Sequence, residues 1–544
     1  MINCSAFEDS SRSMAAAVRA DLTEALLRGE LSREDYETLL LTFKKKIMND
    51  ENKIPLPEWP NEDDAALHQQ SDVTSEVINF NYRGLSGEER LRRARRDMEI
   101  IYASDEPPVM PKQVPRFVKA YLWNTPSIFQ PAFSQAGITA AAVLMDDVSF
   151  RHTNDLYYPA KLNTLIVGES GVGKNGLPEI SSHLLTDVME ESHKNMEREV
   201  EVKEHNSQLG ANEKRKALPE NLVQRVVFPD TTGAGLAHQM KLNCGKPCYL
   251  ECKEIEDLYK FKNGGGGLSP LVLMREADDR DGRIRQRRVG EKSVTVDVPF
   301  HMNYCVSTQL ESALSFFKND MTKGGVSRLE VAFIPEQPIG AKEGKYKAYD
   351  ERYVKRLQPF IDNLKRTREN AHADKDGRIC CKQAYKLIED LKDECAAYLD
   401  TNFDRIWDKM THRGLTHALL KADVLWAANG CKWEPAIDPF IRWSFHYCLW
   451  SKFHVFGNKL REAESKLMYT AKPGKPNLLL LIPSNVFTLS DIMLLRKNQG
   501  LDESEKATKN MINVWVNRKW IKRLSGGRFE KLEYNVPTNN GKGA

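Results

Sequence analysis

A glycine-rich loop that ends in a lysine is the segment of this sequence best suited to chemistry. Residues 165–175 read Leu-Ile-Val-Gly-Glu-Ser-Gly-Val-Gly-Lys-Asn, an apolar run that enters a G-x-x-x-x-G-K loop. The glycines let successive backbone N–H groups point at one anion, and the lysine places an ammonium on the terminal phosphates of a nucleotide. A turn that binds no nucleotide is the alternative. The loop predicts an ATP site formed by consecutive residues: Gly168, Glu169, Ser170, Gly171, Val172, Gly173, Lys174 and Asn175.

The residue that follows the lysine bears on the metal. Such loops commonly hold Ser or Thr there, whose hydroxyl ligates Mg²⁺, whereas this chain has Asn175. An amide oxygen can also ligate Mg²⁺, with a different geometry. We expect Asn175 and Glu254 to hold the ion, with water, Glu251 or Asp257 as alternative ligands.

Three further residues are candidates for a hydrolytic role. Glu254 follows an apolar run and can polarise the attacking water, although Lys253 precedes it where an acid is usual. Thr308 ends a strand with a polar tip and can hydrogen-bond the same water. Arg328 follows a glycine turn and can reach the nucleotide of a neighbouring subunit. For Glu254 the structural alternative is a solvated carboxylate, and for Thr308 it is an ordinary polar strand end.

The elements around these residues predict an α/β core. Short β-branched runs alternate with longer helical patterns, as expected for a parallel sheet covered by helices. A very charged helix is predicted at 183–216, and a hairpin at 284–289 and 293–298. The predicted strands are Asn163 to Val167, Arg225 to Phe228, Cys248 to Cys252, Asn303 to Ser307 and Leu329 to Ile334.

The flanking regions differ from this core. Helical periodicity dominates both sides of it, and the last part of the chain gives helix, helix and β-hairpin in the order of a winged helix. The predicted domains are a helical hairpin at 1–52, a linker at 53–86, a helical region at 87–160, the ATPase core at 161–340, a helical lid or collar at 341–469, the winged helix at 470–536 and a tail at 537–544.

Composition restricts the class of protein. The chain has 544 residues, 41% hydrophobic and 28% charged, which fits several ordinary folded domains rather than a disordered chain. No apolar run reaches the ~18 residues that span a bilayer, so we expect a cytoplasmic protein without a membrane partner. Ten scattered cysteines predict reduced thiols, and zinc at Cys244, Cys248 and Cys252 is disfavoured because the segment favours a loop entering a strand.

Local positive charge predicts two DNA-binding surfaces. The whole chain carries only +3, from 79 Lys and Arg against 76 Asp and Glu, so any nucleic-acid surface must be local. Residues 280–292 and 506–531 are the two basic stretches, and a solvated basic face is the alternative for each. The residues predicted to contact DNA are Arg285, Arg287, Arg288, Lys292, Lys519, Lys522, Arg523 and Arg528.

The order of these features resembles a known family. The chain resembles the primase-associated helicase-like P-loop ATPases of bacterial mobile elements and plasmids, which are related to superfamily 3 and AAA+ helicases. The resemblance rests on five features in this order: the P-loop, the strand ending in Glu254, the hairpin, the polar-tipped strand and the segment Gly324-Gly325-Val326-Ser327-Arg328. The resemblance covers residues 108–335. It implies an AAA+-like core that forms a ring, expected to be a hexamer, with Lys174 and Glu254 acting in one subunit and Arg328 in the next.

These observations lead to three functional hypotheses. The first is an ATP-dependent, ring-forming helicase or translocase that acts on single-stranded or forked duplex DNA during replication of a mobile element. The second is an initiator or loader ATPase that binds DNA under nucleotide control and does not unwind it. The third, a small-molecule P-loop kinase, is disfavoured by the predicted winged helix.

Overall fold

A computed structural model describes most of the chain. The described residues are 78–169, 174–210, 212–262, 269–286, 296–321, 323–338, 340, 344–402, 404–469 and 478–532. The predicted helical hairpin at 1–52, most of the predicted linker and the tail at 537–544 lie outside these ranges.

The protein is a mixed α/β fold, as predicted. The strands are β1 (Ser149–Arg151), β2 (Tyr157–Pro159), β3 (Asn163–Val167), β4 (Val226–Val227), β5 (Cys248–Cys252), β6 (Arg283–Gln286), β7 (Val296–Pro299), β8 (Met302–Thr308), β9 (Val331–Phe333), β10 (Arg378–Ile379), β11 (Val486–Thr488), β12 (Ile521–Leu524) and β13 (Arg528–Lys531). The helices are α1 (Gly87–Ala103), α2 (Arg116–Tyr121), α3 (Gln130–Ala142), α4 (Leu177–Leu184), α5 (Thr186–Gln208), α6 (Gly233–Asn243), α7 (Pro270–Asp278), α8 (Leu310–Phe317), α9 (Gly325–Arg328), α10 (Glu351–Lys375), α11 (Lys382–Asn402), α12 (Arg405–Ala428), α13 (Ile437–Tyr469), α14 (Leu478–Leu481), α15 (Leu489–Asn498) and α16 (Glu505–Asn517).

Five of these strands form an all-parallel sheet in the order β4-β5-β8-β3-β9. The five predicted core strands are confirmed, with small shifts at their ends. Every residue of β3 and β8 is buried, as expected of strands covered on both faces. The register pairs Val167 with Thr308 and Cys252 with Val306, so the carboxyl ends of β3, β8 and β5 lie at one edge. We call this the carboxyl edge, and the opposite one the amino edge.

The helical region after the sheet packs on edge strand β9. The Tyr447 hydroxyl of α13 donates to the carbonyl oxygen of Phe333 over 2.7 Å, and the Phe333 N–H donates to Ser451 Oγ over 3.3 Å. These two contacts give partners to backbone groups that an open sheet edge would leave exposed. The helical region and the sheet therefore share one buried core.

Two details of the sequence prediction are wrong. The charged helix predicted at 183–216 is two helices, because α4 ends at Leu184 and α5 spans Thr186–Gln208. The end of the predicted linker is packed rather than extended in solvent, since Phe80 and Tyr82 are buried and the Tyr82 hydroxyl donates to Asp97. Helix α10, within the region predicted to be a helical lid or collar, is highly charged and contains Pro359.

The C-terminal part contains the predicted helices and hairpin. Helices α15 and α16 pack on a three-stranded sheet of order β11-β13-β12. Their shared core contains Phe487, Ile512, Trp515 and Phe529. Strands β12 and β13 pair antiparallel across a turn at Ser525–Gly527.

None of the described helices combines the length and apolarity that crossing a membrane requires. The described cysteines are free thiols. Cys248 and Cys252 are buried within β5, whereas exposed Cys244 ends α6 in a left-handed conformation with a φ of 52°.

Candidate functional site

Lys174 lies at the carboxyl edge of the sheet, between the ends of β3 and β8. Residues 170–173 and the side chain of Asn175 lie outside the described part of the chain, and the backbone re-enters it in a short 3₁₀ turn at Lys174–Gly176 that leads into α4. The Lys174 ammonium donates to the carbonyl oxygens of Gly168 over 2.8 Å and Thr308 over 3.2 Å. The lysine thus joins both strand ends where a bound phosphate is expected.

Glu254 lies close enough to Lys174 to act on its charge. Burial lowers the pKa of Lys174, while the nearby carboxylates of Glu254 and Glu169 act in the opposite direction. Glu254 is exposed, and its backbone carbonyl accepts from the N–H of Asp257 over 3.0 Å, which holds the chain in a turn directly after β5. The structure therefore brings together the predicted lysine and the predicted carboxylate.

Thr308 contacts this site through its backbone. Its carbonyl oxygen accepts from Lys174 and from the Gly168 N–H, the latter over 3.1 Å. The side chain is fully buried and its hydroxyl donates to the carbonyl of Gln309 over 3.3 Å. The prediction that the Thr308 hydroxyl orients water is not supported by this arrangement, because that hydroxyl already has an intramolecular partner.

Glu251, predicted as an alternative metal ligand, is hydrogen-bonded to two hydroxyl groups. Its carboxylate accepts from the hydroxyl of Ser181 on α4 and, over 3.3 Å, from the hydroxyl of Tyr249. Burial raises the pKa of Glu251, and these two donors oppose that rise. Glu251 therefore ties α4 to β5.

The side chains at the carboxyl edge supply only part of the ligands that Mg²⁺ needs. Among the described residues, no group of three His, Cys, Asp or Glu side chains is placed to hold a metal ion. Mg²⁺ in phosphate sites is commonly bound by one or two carboxylates together with phosphate oxygens and water. Glu254, exposed beside Lys174, fits that role.

A segment that the sequence analysis missed covers the start of α4. We call residues 344–350 the strap. A Cβ atom at Gly176 would lie 2.1 Å from the ring of Tyr346, so only glycine allows this approach. The Tyr349 hydroxyl donates to the Gly176 carbonyl over 3.4 Å, and Tyr346 stacks on Phe129 at 5.8 Å between ring centroids. The partners are about 170 residues apart in sequence, so no local pattern could have indicated them.

Arg328 lies at the other end of the sheet. It precedes β9, and its carbonyl oxygen accepts from the Asn163 side-chain amide at the start of β3. Its guanidinium pairs with Asp279 over 3.0 Å, and the side chain is only 18% exposed. The length of β8, ~20 Å at ~3.3 Å per residue, separates the two edges. Within one chain, Arg328 therefore cannot act on a phosphate held by Lys174.

The predicted hairpin forms and also leaves from the amino edge. Strands β6 and β7 pair antiparallel, and the Phe300 N–H donates to the Gly282 carbonyl directly before β8 begins. Arg285 is 71% exposed and lies 3.5 Å from Asp297. The other predicted DNA contacts of the hairpin, Arg287, Arg288 and Lys292, lie outside the described residues.

The basic residues of the C-terminal unit divide into two groups. Lys519, Lys522 and Arg528 are exposed, and Lys522 pairs with Glu530 over 2.7 Å. Arg523 is 15% exposed and its guanidinium contacts Asp404 over 3.3 Å and Asn513 over 2.7 Å. The prediction that Arg523 binds DNA is therefore wrong, because this side chain anchors the C-terminal unit to the turn before α12.

No protein-family model matches the chain, and no curated protein matches it in sequence.

Proposed function

We propose that the chain binds and hydrolyses ATP at the carboxyl edge of its parallel sheet. One observation carries the proposal: Lys174, directly after a G-x-x-x-x-G-K loop, joins the ends of β3 and β8 beside Glu254. Ligands of open parallel sheets bind outside the carboxyl ends of the strands, which is where this lysine lies.

Each residue has a distinct task in this mechanism. Backbone N–H groups of residues 168–174 bind the β- and γ-phosphates, and Lys174 leaves the Gly168 and Thr308 carbonyls to donate to the γ-phosphate. Glu254 orients the attacking water and accepts its proton. Mg²⁺, when bound by Asn175 and Glu254, neutralises charge that develops on the phosphate oxygens. Negative charge from ATP raises the pKa of Lys174, so the lysine stays protonated.

We propose a ring of subunits, and the positions of the two edges support it. Lys174 lies at the carboxyl edge and Arg328 at the amino edge, so Arg328 can reach a nucleotide only on a second copy of the chain. Head-to-tail contacts between unlike surfaces close into rings when the rotation permits. This geometry supports the AAA+-like class for the core and Arg328 as a residue that acts between subunits, and we propose a hexamer.

We propose that this ATPase is a cytoplasmic DNA helicase or translocase acting in replication of a mobile element. The exposed Arg285, Lys519, Lys522 and Arg528 support contact with DNA phosphates. The two helices and three strands of the C-terminal unit fit a winged helix, with β12 and β13 as the wing. The resemblance to mobile-element helicases supports unwinding.

A second candidate is an initiator or loader that binds DNA under nucleotide control. It is favoured by Lys253, which is exposed directly before Glu254 at the position where an acid commonly assists the metal. Slow hydrolysis suits a protein that assembles on DNA and does not move along it.

Strand displacement distinguishes these candidates. ATP turnover is measured with and without single-stranded DNA, and unwinding on a forked duplex, for the wild-type chain and for Glu254→Gln. A helicase shows DNA-stimulated turnover and unwinding that Glu254→Gln abolishes while ATP binding persists. An initiator shows nucleotide-dependent DNA binding without unwinding. Absence of both ATP binding and turnover in the folded wild-type chain contradicts the ATPase proposal.

A further inference from the structure

Trp123 contacts two cationic side chains next to the strap. The Lys347 ammonium lies 4.9 Å from the centroid of its ring, and the Arg356 guanidinium lies 3.7 Å from it. Trp123 is partly exposed and follows α2, whereas Lys347 belongs to the strap and Arg356 to the second turn of α10. An indole ring attracts cations placed over its face, so these three side chains form one ordered contact.

Hydrogen bonds fix the strap to the turn that carries Trp123. The Lys347 N–H donates to the Asn124 carbonyl over 3.2 Å, and the Asn124 side-chain amide donates to the Ala348 carbonyl over 2.6 Å. The same strap lies against Gly176 at the start of α4. The cations at Trp123 are therefore held beside the helix that follows the P-loop.

Positive charge predominates around this contact. Residues 344–356 contain five Lys or Arg side chains and two acidic ones. Lys119 of α2, four residues before Trp123, adds a cation, and Glu179 of α4, which acts electrostatically on Tyr349, adds an acid. Cations thus outnumber acids by two to one on this surface, although the whole chain is nearly neutral. A local excess of this kind is the electrostatic signature of a surface that binds a polyanion.

The two acids of residues 344–356 already have partners. Asp350 is the N-cap of α10 and accepts from two backbone N–H groups of its first turn. Glu351 lies 2.7 Å from Lys355. The exposed cations of this segment that form no ion pair with a described carboxylate are Lys345, Lys347 and Arg352. We call these three residues, together with Lys119, Trp123 and Arg356, the strap patch.

We propose that the strap patch binds the phosphate backbone of single-stranded DNA. A guanidinium over an indole ring presents its N–H donors at its edge, where they suit phosphate oxygens, and the exposed cations around it attract further phosphates. An aromatic side chain among cations is typical of surfaces that bind single strands. This inference rests on the DNA partner of the proposed function. It adds a contact beside the ATP site, separate from the hairpin and the C-terminal unit.

Fluorescence anisotropy with a labelled oligodeoxythymidylate, in the absence of nucleotide, tests the proposal across a salt series. The double variant Lys347→Gln, Arg352→Gln removes two exposed cations of the patch. At ~0.7 per phosphate contact, it should lower the slope of log affinity against log salt by ~1.4, which is about twentyfold in affinity at about 0.1 M salt. The control Lys375→Gln, Lys386→Gln removes two exposed cations outside the patch and should bind as the wild type does.

Photo-crosslinking in the full-length chain locates the strand independently of these variants. A benzophenone amino acid in place of Lys345 should capture the oligonucleotide, and one in place of Lys375 should not. Capture of labelled polyglutamate at Lys345 in preference to DNA would indicate an acidic protein partner and overturn the proposal. Equal salt slopes in the patch variant and the control would also overturn it.

These readouts separate the strap patch from the proposed function. No nucleotide is present, so a chain that fails to hydrolyse ATP can still show the expected salt slopes and crosslink. A wild-type chain that binds no single strand contradicts both the DNA partner and the strap patch. A wild-type chain that binds the strand with a slope unchanged by Lys347→Gln, Arg352→Gln contradicts the strap patch alone.

Discussion

The charge of buried His417 is the most directly testable electrostatic consequence of this structure. Its two ring nitrogens lie 2.6 Å from Asp278 and 3.0 Å from Glu330, and these carboxylates raise its pKa to about 9. An unperturbed histidine has a pKa of about 6.5. We predict that His417 remains an imidazolium throughout the neutral range, and that raising the pH through 9 removes this charge.

The size of the effect follows from the shift. A folded-state pKa raised from about 6.5 to about 9 stabilises the fold by ~3 kcal/mol at 1.36 kcal/mol per unit. Because the folded pKa is the higher one, this stabilisation is complete below pH 6.5 and disappears as the pH rises to about 9. Lys161 acts in the opposite sense over pH 8 to 10.5, because its pKa is lowered to about 8. A histidine variant must therefore be compared with the wild type at each pH.

Histidine-selective ¹³C NMR measures this pKa directly. The Cε1–H signal of His417 is assigned by its loss in His417→Gln, and its chemical shift should titrate with a midpoint near 9. In parallel, the free energy of unfolding of His417→Gln should fall below that of the wild type by ~3 kcal/mol more at pH 6 than at pH 9.5. A midpoint at or below 6.5 refutes the charged state of His417 between Asp278 and Glu330.

Other substitutions test the remaining contacts. Gly176→Ala should destabilise the fold by ~1–3 kcal/mol, because its Cβ overlaps the Tyr346 ring, and adding Tyr346→Ala should recover part of that loss in thermal melts. Arg523→Ala should cost ~1–3 kcal/mol of stability, because it removes one of the two guanidiniums that pair with buried Asp404 and leaves only Arg461, a result that a purely DNA-binding residue would not give. Arg328→Ala subunits mixed with Lys174→Ala subunits should recover some ATPase activity, whereas mixed rings as inactive as either parent contradict a role between subunits.

The strands that place Lys174 and Glu254 at the carboxyl edge could be predicted from the sequence because their signals are local. The apolar run before Gly168, the spacing to Lys174 and the apolar strand before Glu254 are each contained in about a dozen residues. In a parallel sheet the carboxyl ends of neighbouring strands meet, so locating the strands was enough to bring these side chains together. The same reasoning could not fix the orientation of the Thr308 hydroxyl, because that hydroxyl donates to the backbone carbonyl of the adjacent Gln309.

The charged contacts around His417 at the amino edge could not be predicted, because the residues come from distant parts of the chain. Lys161, Asp278 and His417 span more than 250 residues and have no common motif. The role of Arg523 could not be predicted either. It belongs to a basic stretch of the sequence, and the stretch does not reveal that this one side chain is buried against Asp404. Long-range packing decides the role of such residues.

Nucleotide titration of wild-type and Lys174→Ala chains tests the central claim most directly. A fluorescent ATP analogue with Mg²⁺ is titrated into each chain, with circular dichroism to confirm folding and Lys241→Ala as an exposed lysine control on α6. Lys174→Ala should lose about a hundredfold in affinity for the analogue, or ~3 kcal/mol, because a charged donor to the phosphates is removed, while Lys241→Ala should bind as the wild type does. Unchanged ATP affinity in the folded Lys174→Ala chain would contradict the assignment of this edge as the ATP site.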